Sequence, residues 1–423
     1  MTAPLALAQT LSAFWRTKAH AARLRTRFDL LAWQTRRLKR FLRTAAPRAD
    51  AFAALSGHPL TNFPVMDKAA LMNAFDRHNI AGITAEAAWQ AFETNGRIGR
   101  YSIGASTGTS GNRGLYLVSD AERYLWLGTL LAKALPDLLT RRYRVAVMLP
   151  RGSRLYDAAN ESGRVALKFF DLTDGLDAQL GAVAAFRPNV LVAPPHALIA
   201  LARADLPLAP EKVFSGAEVL EPADRAEIEA RFGVTIREIY MATEGLFGVA
   251  CEHGTLHLCE DCVAFEWEPE GDLAKPVITD FTRRSQLMIR YRMNDLLRLS
   301  DAPCSCGSPM QAVAEIAGRA DDCFRLHRAD GTPVTLTPDI LRNAVLGASR
   351  AITDFRLIQT GPKSITLLLP TEQSVELAVA CAAIEGLVAS FGATAGITAS
   401  ADAPLPQAKA KLRRVIREPS TPP

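Results

Sequence analysis

The stretch YSIGASTGTSGNRG, residues 101–114, opens as a short β-like run, passes through a loop dense in Ser, Thr and Gly, and returns to the apolar run LYLV. A loop of that composition is suited to holding phosphate. Gly104, Gly108, Gly111 and Gly114 permit positive φ and let backbone N–H groups converge, while Ser106, Thr107, Thr109 and Ser110 add hydroxyl donors around one anion. The pattern is not G-x-x-x-x-G-K-[ST], because Asn112 and Arg113 follow Gly111 where a Gly-Lys pair would stand. Taken alone, such a loop between strands also serves as a plain connection. Its meaning depends on what surrounds it.

At 423 residues the chain has room for two or three domains of about 100–200 residues each. An apolar fraction of 48% and a charged fraction of 22% are those of an ordinary globular protein. No run of about 18 apolar residues suggests a transmembrane segment. The N-terminus MTAPLALAQTLSAFW lacks a basic region ahead of its apolar residues, so a signal peptide is not expected and the cytoplasm is the default location. Seven cysteines, few and odd in number, argue against a disulfide framework. Five of them, Cys251, Cys259, Cys262, Cys304 and Cys306, lie within 56 residues, a clustering that suggests metal. Net charge is +5, yet ten Lys/Arg and a single Asp fall between Arg16 and Arg43. The remainder is slightly acidic, which excludes a general nucleic-acid binder.

Residues 8–45 carry helical spacing, with Phe28, Leu31, Trp33, Leu38, Phe41 and Leu42 interleaved among the basic residues. Such a helix either lies on an anionic membrane surface or packs its apolar stripe on the body of the protein, and packing is the expected outcome. A second helix is expected from Ala121 to Leu139. Strand-like runs (RVAVMLP, RVALKFFDL, VLVAPP, KVFSGAEVL) then alternate with helical ones (LDAQLGAVAAF, PHALIALARA, EPADRAEIEARF), the pattern of parallel βαβ units. Gly233 reads as a helix C-cap ahead of the strand VTIREIYM, and 255–299 reads as β-rich. After GRADD at 318–322 the pattern changes to an α+β unit of about 100 residues. The expected fold class is therefore α/β, with a large N-terminal domain over 1–318, its basic helical segment included, and a small α+β domain over 319–423.

Six marks fall in a fixed order: STGTSGNRG (106–114), FSGAEVLEP (214–222), YMATEG (240–245), YRMNDLLRL (291–299), GRADD (318–322) and KAKLRRV (409–415). Together they resemble the adenylate-forming superfamily of acyl-CoA synthetases, peptide-synthetase adenylation domains and luciferases. Within it the likeness is to the branch of phenylacetate-CoA ligase and coenzyme F390 synthetase, over nearly the whole chain. The resemblance implies that ATP and a carboxylic acid give an acyl-adenylate and pyrophosphate. It implies that the loop residues Ser106, Thr107, Gly108, Thr109, Ser110 and Gly111 hold the β- and γ-phosphates, with Arg113 the only cation where many relatives have a lysine. Gly216, Ala217 and Glu218 match the segment lining the adenine pocket, with Tyr240 at the start of the next mark. Thr243 and Glu244 match contacts to the α-phosphate and Mg²⁺, where a hard carboxylate oxygen suits the metal. Asp295 matches the ribose-binding carboxylate, and Arg319 and Asp321 the nucleotide-contacting arginine and the hinge aspartate of a mobile C-terminal domain. The family's C-terminal lysine is matched by Lys411, with Lys409 the alternative, in PLPQAKAKLRRV, which lacks the Gly that commonly precedes it.

Cys251, His253, His257, Cys259, Cys262, Cys304 and Cys306 supply seven soft or borderline ligands where tetrahedral Zn²⁺ needs four. Similar CoA ligases favour Cys251, His257, Cys304 and Cys306. His253 is a second candidate for the nitrogen ligand, and Cys259 with Cys262 could displace the set. A zinc there would be structural. Tyr124, Trp126, Tyr156 and Phe247 suggest either a flat acid's pocket or plain core packing. Other readings are adenylyl transfer to a non-carboxylate acceptor, a non-catalytic nucleotide-binding protein on this fold, and a zinc hydrolase. The acceptor (CoA, a carrier protein or an amine) and the oligomeric state, a dimer included, are not written in the sequence.

Overall fold

The computed structural model describes residues 3–105, 114–149, 164–401 and 413–418. They fall into two compact units, one of 1–268, 276–293 and 299–314, the other of 269–275, 294–298 and 315–423.

The first unit is organised around five parallel strands in the order Val165–Asp171, Tyr143–Leu149, Val190–Ala193, Lys212–Gly216 and Ile236–Ala242. The central strands Tyr143–Leu149 and Val190–Ala193 are apolar at nearly every position because both faces are covered. Val145 and Val147 point to a core that includes Leu127 and Phe14, whereas Ala146 and Met148 point to the opposite core with Val183, Leu198 and Ile228. Helices Leu176–Phe186, Pro195–Arg203 and Pro222–Phe232 cover that second face. After Ala242 the chain reverses, and Gly245–Ala250 and Leu256–Leu258 extend the sheet antiparallel. Tyr143–Leu149 pairs with strands on either side that follow it in sequence, which makes its carboxyl end a topological switch point, where open α/β sheets bind ligands.

The Gly-rich stretch connects an antiparallel pair, Tyr101–Ala105 with Leu115–Ser119, and leads to helix Asp120–Ala134. The basic N-terminal segment is two helices rather than one, Ala3–Arg23 and Arg27–Thr44. The second starts where Thr26 Oγ1 accepts from Asp29 N and Asp29 accepts in return from Thr26 N, a capping box inside a run that reads as continuous helix. Leu30, Phe41 and Leu42 are buried, so this stripe packs on the body. The first helix crosses Asp120–Ala134 at Gly128, where a Cβ would stand 2.2 Å from the Thr10 carbonyl oxygen. Only glycine permits that approach.

In the second unit, hairpin Phe324–His327/Pro333–Leu336 precedes a four-stranded sheet in the order Gly396–Ser400, Ser364–Leu368, Arg356–Gly361, Val415–Arg417. Helices Pro338–Ala348 and Leu377–Ser390 supply Leu341, Val345, Ala380, Ile384 and Val388 to its core. Thr371–Ser390 is long and apolar enough to cross a membrane by composition. Its buried residues nevertheless face this core, and Glu372, Glu376 and Glu385 punctuate it.

Candidate nucleotide and metal sites

The carboxyl ends of neighbouring strands Lys212–Gly216 and Ile236–Ala242 deliver two of the sequence-predicted segments side by side. Gly216 ends the first strand, and Ala217 follows with φ +70°, a left-handed conformation that costs a non-glycine residue energy. The Glu218 side chain is 4% exposed, and one of its carboxylate oxygens lies 2.8 Å from His196 Nδ1. Tyr240 is buried with its ring 5.4 Å from that of Phe247.

Glu244 sits in the tight turn joining Ile236–Ala242 to Gly245–Ala250, with its carboxylate held from two sides. Thr243 Oγ1 donates to Oε2 at 2.8 Å and Tyr291 OH to Oε1 at 3.1 Å. Behind it lies Arg283, which sequence reading missed and which is completely buried. Its Nη1 donates to the Glu244 carbonyl at 2.6 Å, and its Nη2 to Leu117 O at 3.3 Å and Gln286 Oε1 at 3.0 Å. Its guanidinium lies 5.3 Å over the Trp126 ring. Arg283 thus ties the strand that follows the Gly-rich loop to the backbone of Glu244. Burial pulls its pKa down, against the charges of Asp280, Glu122 and Glu244. Because lysine lacks the planar fork and methionine lacks donors, Arg283→Met is expected to cost about 3–5 kcal/mol, read from chemical denaturation, with Arg283→Lys recovering only part.

Glu122 is a second hidden support. Its carboxylate accepts from Ser119 N at 2.8 Å, Ser119 Oγ at 2.6 Å and the backbone N–H groups of Arg284 and Ser285. One residue thereby closes a capping box and fixes the backbone beside Arg283. Burial alone would raise its pKa, but these donors win and hold it below the usual value. A carboxyl whose folded pKa is depressed adds stability that is fully present above its unfolded value of about 4.3 and is lost as pH falls through the folded value. Glu122→Gln is expected to lower stability at neutral pH by about 2 kcal/mol and to flatten the acid limb of the stability–pH curve. Thermal unfolding from neutral pH downward reads both effects.

In the second unit, Arg319 Nε lies 3.9 Å from Asp295 Oδ1, so the two residues matched to ribose and nucleotide contacts are adjacent. Asn294 Nδ2 donates to Asp321 Oδ2 at 2.8 Å, and Arg417 Nε donates to the Asp321 carbonyl at 3.1 Å. Asp321 is thus bonded through both side chain and backbone. Ser106, Thr107, Gly108, Thr109, Ser110, Gly111, Arg113, Tyr156, Lys409 and Lys411 lie outside the described residues. Of the other aromatic residues singled out for an acid pocket, Trp126 supports Arg283 and Phe247 is fully buried, so packing accounts for both.

Cys251, His257, Cys304 and Cys306 converge, with one ligand atom from each lying within 4.8 Å of all the others. Sγ of Cys251 is 3.8 Å from Sγ of Cys304, and Sγ of Cys306 is 3.3 Å from His257 Nε2. Nδ1 of His257 donates to Met310 O at 3.1 Å, which leaves Nε2 as the lone-pair nitrogen facing the sulfurs. A hydrogen bond from Thr255 and the backbone of Cys306 draw the Cys304 thiol down to about 6. Burial pushes Cys306 up to about 12. Cys259 and Cys262 are not in this cluster and lie beside Lys133 and Asp261, while His253 is exposed next to Glu252.

No family model matches the chain. A phenylacetate-coenzyme A ligase of Pseudomonas putida is 29% identical over 141 residues, 30% of this chain and 31% of that protein's length. Among solved structures, 2-hydroxyisobutyryl-CoA ligase in a postadenylation state, in complex with an acyl-AMP, superposes with a TM-score of 0.65 at 17% identity, over 92% of this chain and 89% of that one. ATP-bound MatB from Rhodopseudomonas palustris gives 0.50 at 15% identity, over 71% and 64%.

Proposed function

The chain has the fold of the adenylate-forming ligases, and from that premise we propose that it activates a carboxylic acid with ATP and Mg²⁺. The acid's carboxylate oxygen attacks the α-phosphorus and the bond to pyrophosphate breaks, leaving an acyl-adenylate. The acyl group then passes to CoA or to another thiol or amine. The observation that carries this reading is the Glu244 carboxylate, fixed by Thr243 and Tyr291 at the carboxyl end of the parallel sheet. Its oxygens are hard donors of the kind Mg²⁺ takes, and Thr243 Oγ1, which donates to Glu244 here, would turn that proton to an α-phosphate.

In this reading Gly216, Ala217 and Glu218 wall the adenine, Asp295 and Arg319 serve the ribose and phosphates, and Ser106 to Arg113 receive the leaving pyrophosphate. Lys411, or Lys409, stabilises the transition state at the α-phosphate. Residues 319–423 form the small domain that moves about Asp321 between the half-reactions. The cluster of Cys251, His257, Cys304 and Cys306 takes a structural Zn²⁺, since four protein ligands leave no open position for water. Pyrophosphate release trapped with hydroxylamine, measured with ATP, Mg²⁺ and a panel of acids, is the test. Release that depends on one acid and on Mg²⁺ is expected. ATP binding without release, across acids and non-carboxylate acceptors alike, would sink the reading.

A further inference from the structure

The N-terminal helices carry more charge than the body answers. Among the described residues, Arg27–Glu260 is the ion pair made by the ten cations between Arg16 and Arg43, and the single Asp of the segment is spent on its helix cap. Burial, and then the neighbouring charges of Arg40 and Arg16, pull the pKa of Arg37 down, and its guanidinium lies 5.2 Å over the Trp33 ring. Trp33 in turn stands 4.3 Å from His20 of the preceding helix, which brings the basic flanks of the two helices together.

Helix Arg27–Thr44 has two apolar sets. Leu30 and Phe41 are completely buried, but Phe28 is 80% exposed and Leu31 45% exposed. Thr35 and Lys39 continue the exposed stripe at helical spacing, with Arg36, Arg40 and Arg43 beside it, all exposed. On the preceding helix Trp15 is 57% exposed and adjoins Arg16. The packed stripe therefore accounts for one face of the segment and leaves large apolar side chains among unpaired-by-carboxylate cations on the other.

We propose that this outer face docks the protein on an anionic lipid surface, with Phe28 and Leu31 entering the headgroup boundary and Arg36, Lys39 and Arg40 reaching the phosphates. Aromatic and leucine side chains flanked by Lys and Arg are the pattern of a helix lying in the bilayer interface, and long basic side chains lay their stems along apolar surface while the charge stays at the headgroups. The face is basic but for Asp29, whose carboxylate is engaged by the Thr26 backbone and hydroxyl in the helix cap. Recognition then comes from the field of a charged sheet rather than from a fixed pattern of pairs, which favours lipid over a folded acidic partner. The inference is independent of the chemistry proposed above.

Vesicle co-sedimentation of the full chain tests it, with phosphatidylcholine alone and with phosphatidylcholine containing phosphatidylglycerol. Binding is expected only to the anionic vesicles, falling at least about tenfold as salt rises and the Debye length shrinks. Phe28→Ser with Leu31→Ser should weaken binding about tenfold or more. Combining Arg36→Gln, Lys39→Gln and Arg40→Gln should weaken it about 100-fold, since each cation near the surface contributes about fivefold. All these positions are exposed, so unchanged thermal unfolding is expected and checks the fold. Equal binding to neutral vesicles, or variants that bind like the parent, would overturn the proposal. Absence of vesicle binding at low salt, with variant-sensitive binding to a purified acidic carrier protein, would overturn it in favour of a protein partner.

Discussion

Replacing Glu244 with Gln is expected to lower acid-dependent pyrophosphate release by about 10²- to 10³-fold while leaving the fold intact. The side chain is partly exposed and its two hydrogen bonds come from neutral hydroxyls, Thr243 Oγ1 and Tyr291 OH. Glutamine keeps the shape and can still accept the tyrosine's proton, so little stability is at stake. What it removes is the negative charge that would hold Mg²⁺ in the proposed reaction. The loss should therefore appear in turnover and in the Mg²⁺ dependence more than in the affinity for ATP. Glu244→Asp, which retains charge but withdraws the carboxylate by one methylene, should recover part of the activity. A Gln variant with parental turnover would remove Glu244 from the chemistry and leave the segment a structural turn.

The parallel sheet is legible from sequence because burial on both faces writes apolar residues at successive positions, as Val145 to Met148 do, and helices of opposite periodicity separate the runs. Glu244 is legible because a short motif carries it. Its supports are not. Arg283 stands in TRRSQ, which reads as a charged loop, and its burial depends on carbonyls at Leu117 and Glu244, both distant in sequence. Glu122 reads as an ordinary acid in a helix's first turn, a role it does fill, but its bonds to Arg284 and Ser285 are tertiary. The break between the N-terminal helices is missed for a local reason. Thr26 and Asp29 lie inside a basic run whose helical spacing continues on both sides, and a cap of two side chains is a small signal against it. The basic tail read over 409–415 ends at Val415, where the strand Val415–Arg417 begins and pairs parallel with Arg356–Gly361. Two charged neighbours conceal a strand only three residues long.

Cys304→Ser is expected to release about one zinc per chain and to destabilise the first unit by at least about 3 kcal/mol. The argument is geometric. A tetrahedron with zinc–sulfur arms of about 2.3 Å has edges of about 3.8 Å, and the Cys251–Cys304 separation is 3.8 Å. The 3.3 Å between Cys306 Sγ and His257 Nε2 fits the shorter nitrogen arm. Four sulfur and nitrogen donors around one point, with the histidine's other nitrogen committed to Met310 O, leave nothing for the cluster to do as well as bind a soft cation. Its effect would be local and mechanical. Cys251 follows strand Gly245–Ala250, which begins one residue after Glu244, and His257 lies on the next strand, while Cys304 and Cys306 come from a loop. Removing such an ion would free that loop from the strand pair and loosen the turn holding Glu244. Metal content by mass spectrometry and thermal unfolding with and without a chelator read the two consequences separately. A parent that carries no metal as isolated, and whose unfolding midpoint a chelator does not move, would sink the zinc assignment. Turnover that stays lost when Mg²⁺ is resupplied after the chelator is removed, with the unfolding midpoint unmoved, would make the ion catalytic, against the closed ligand set.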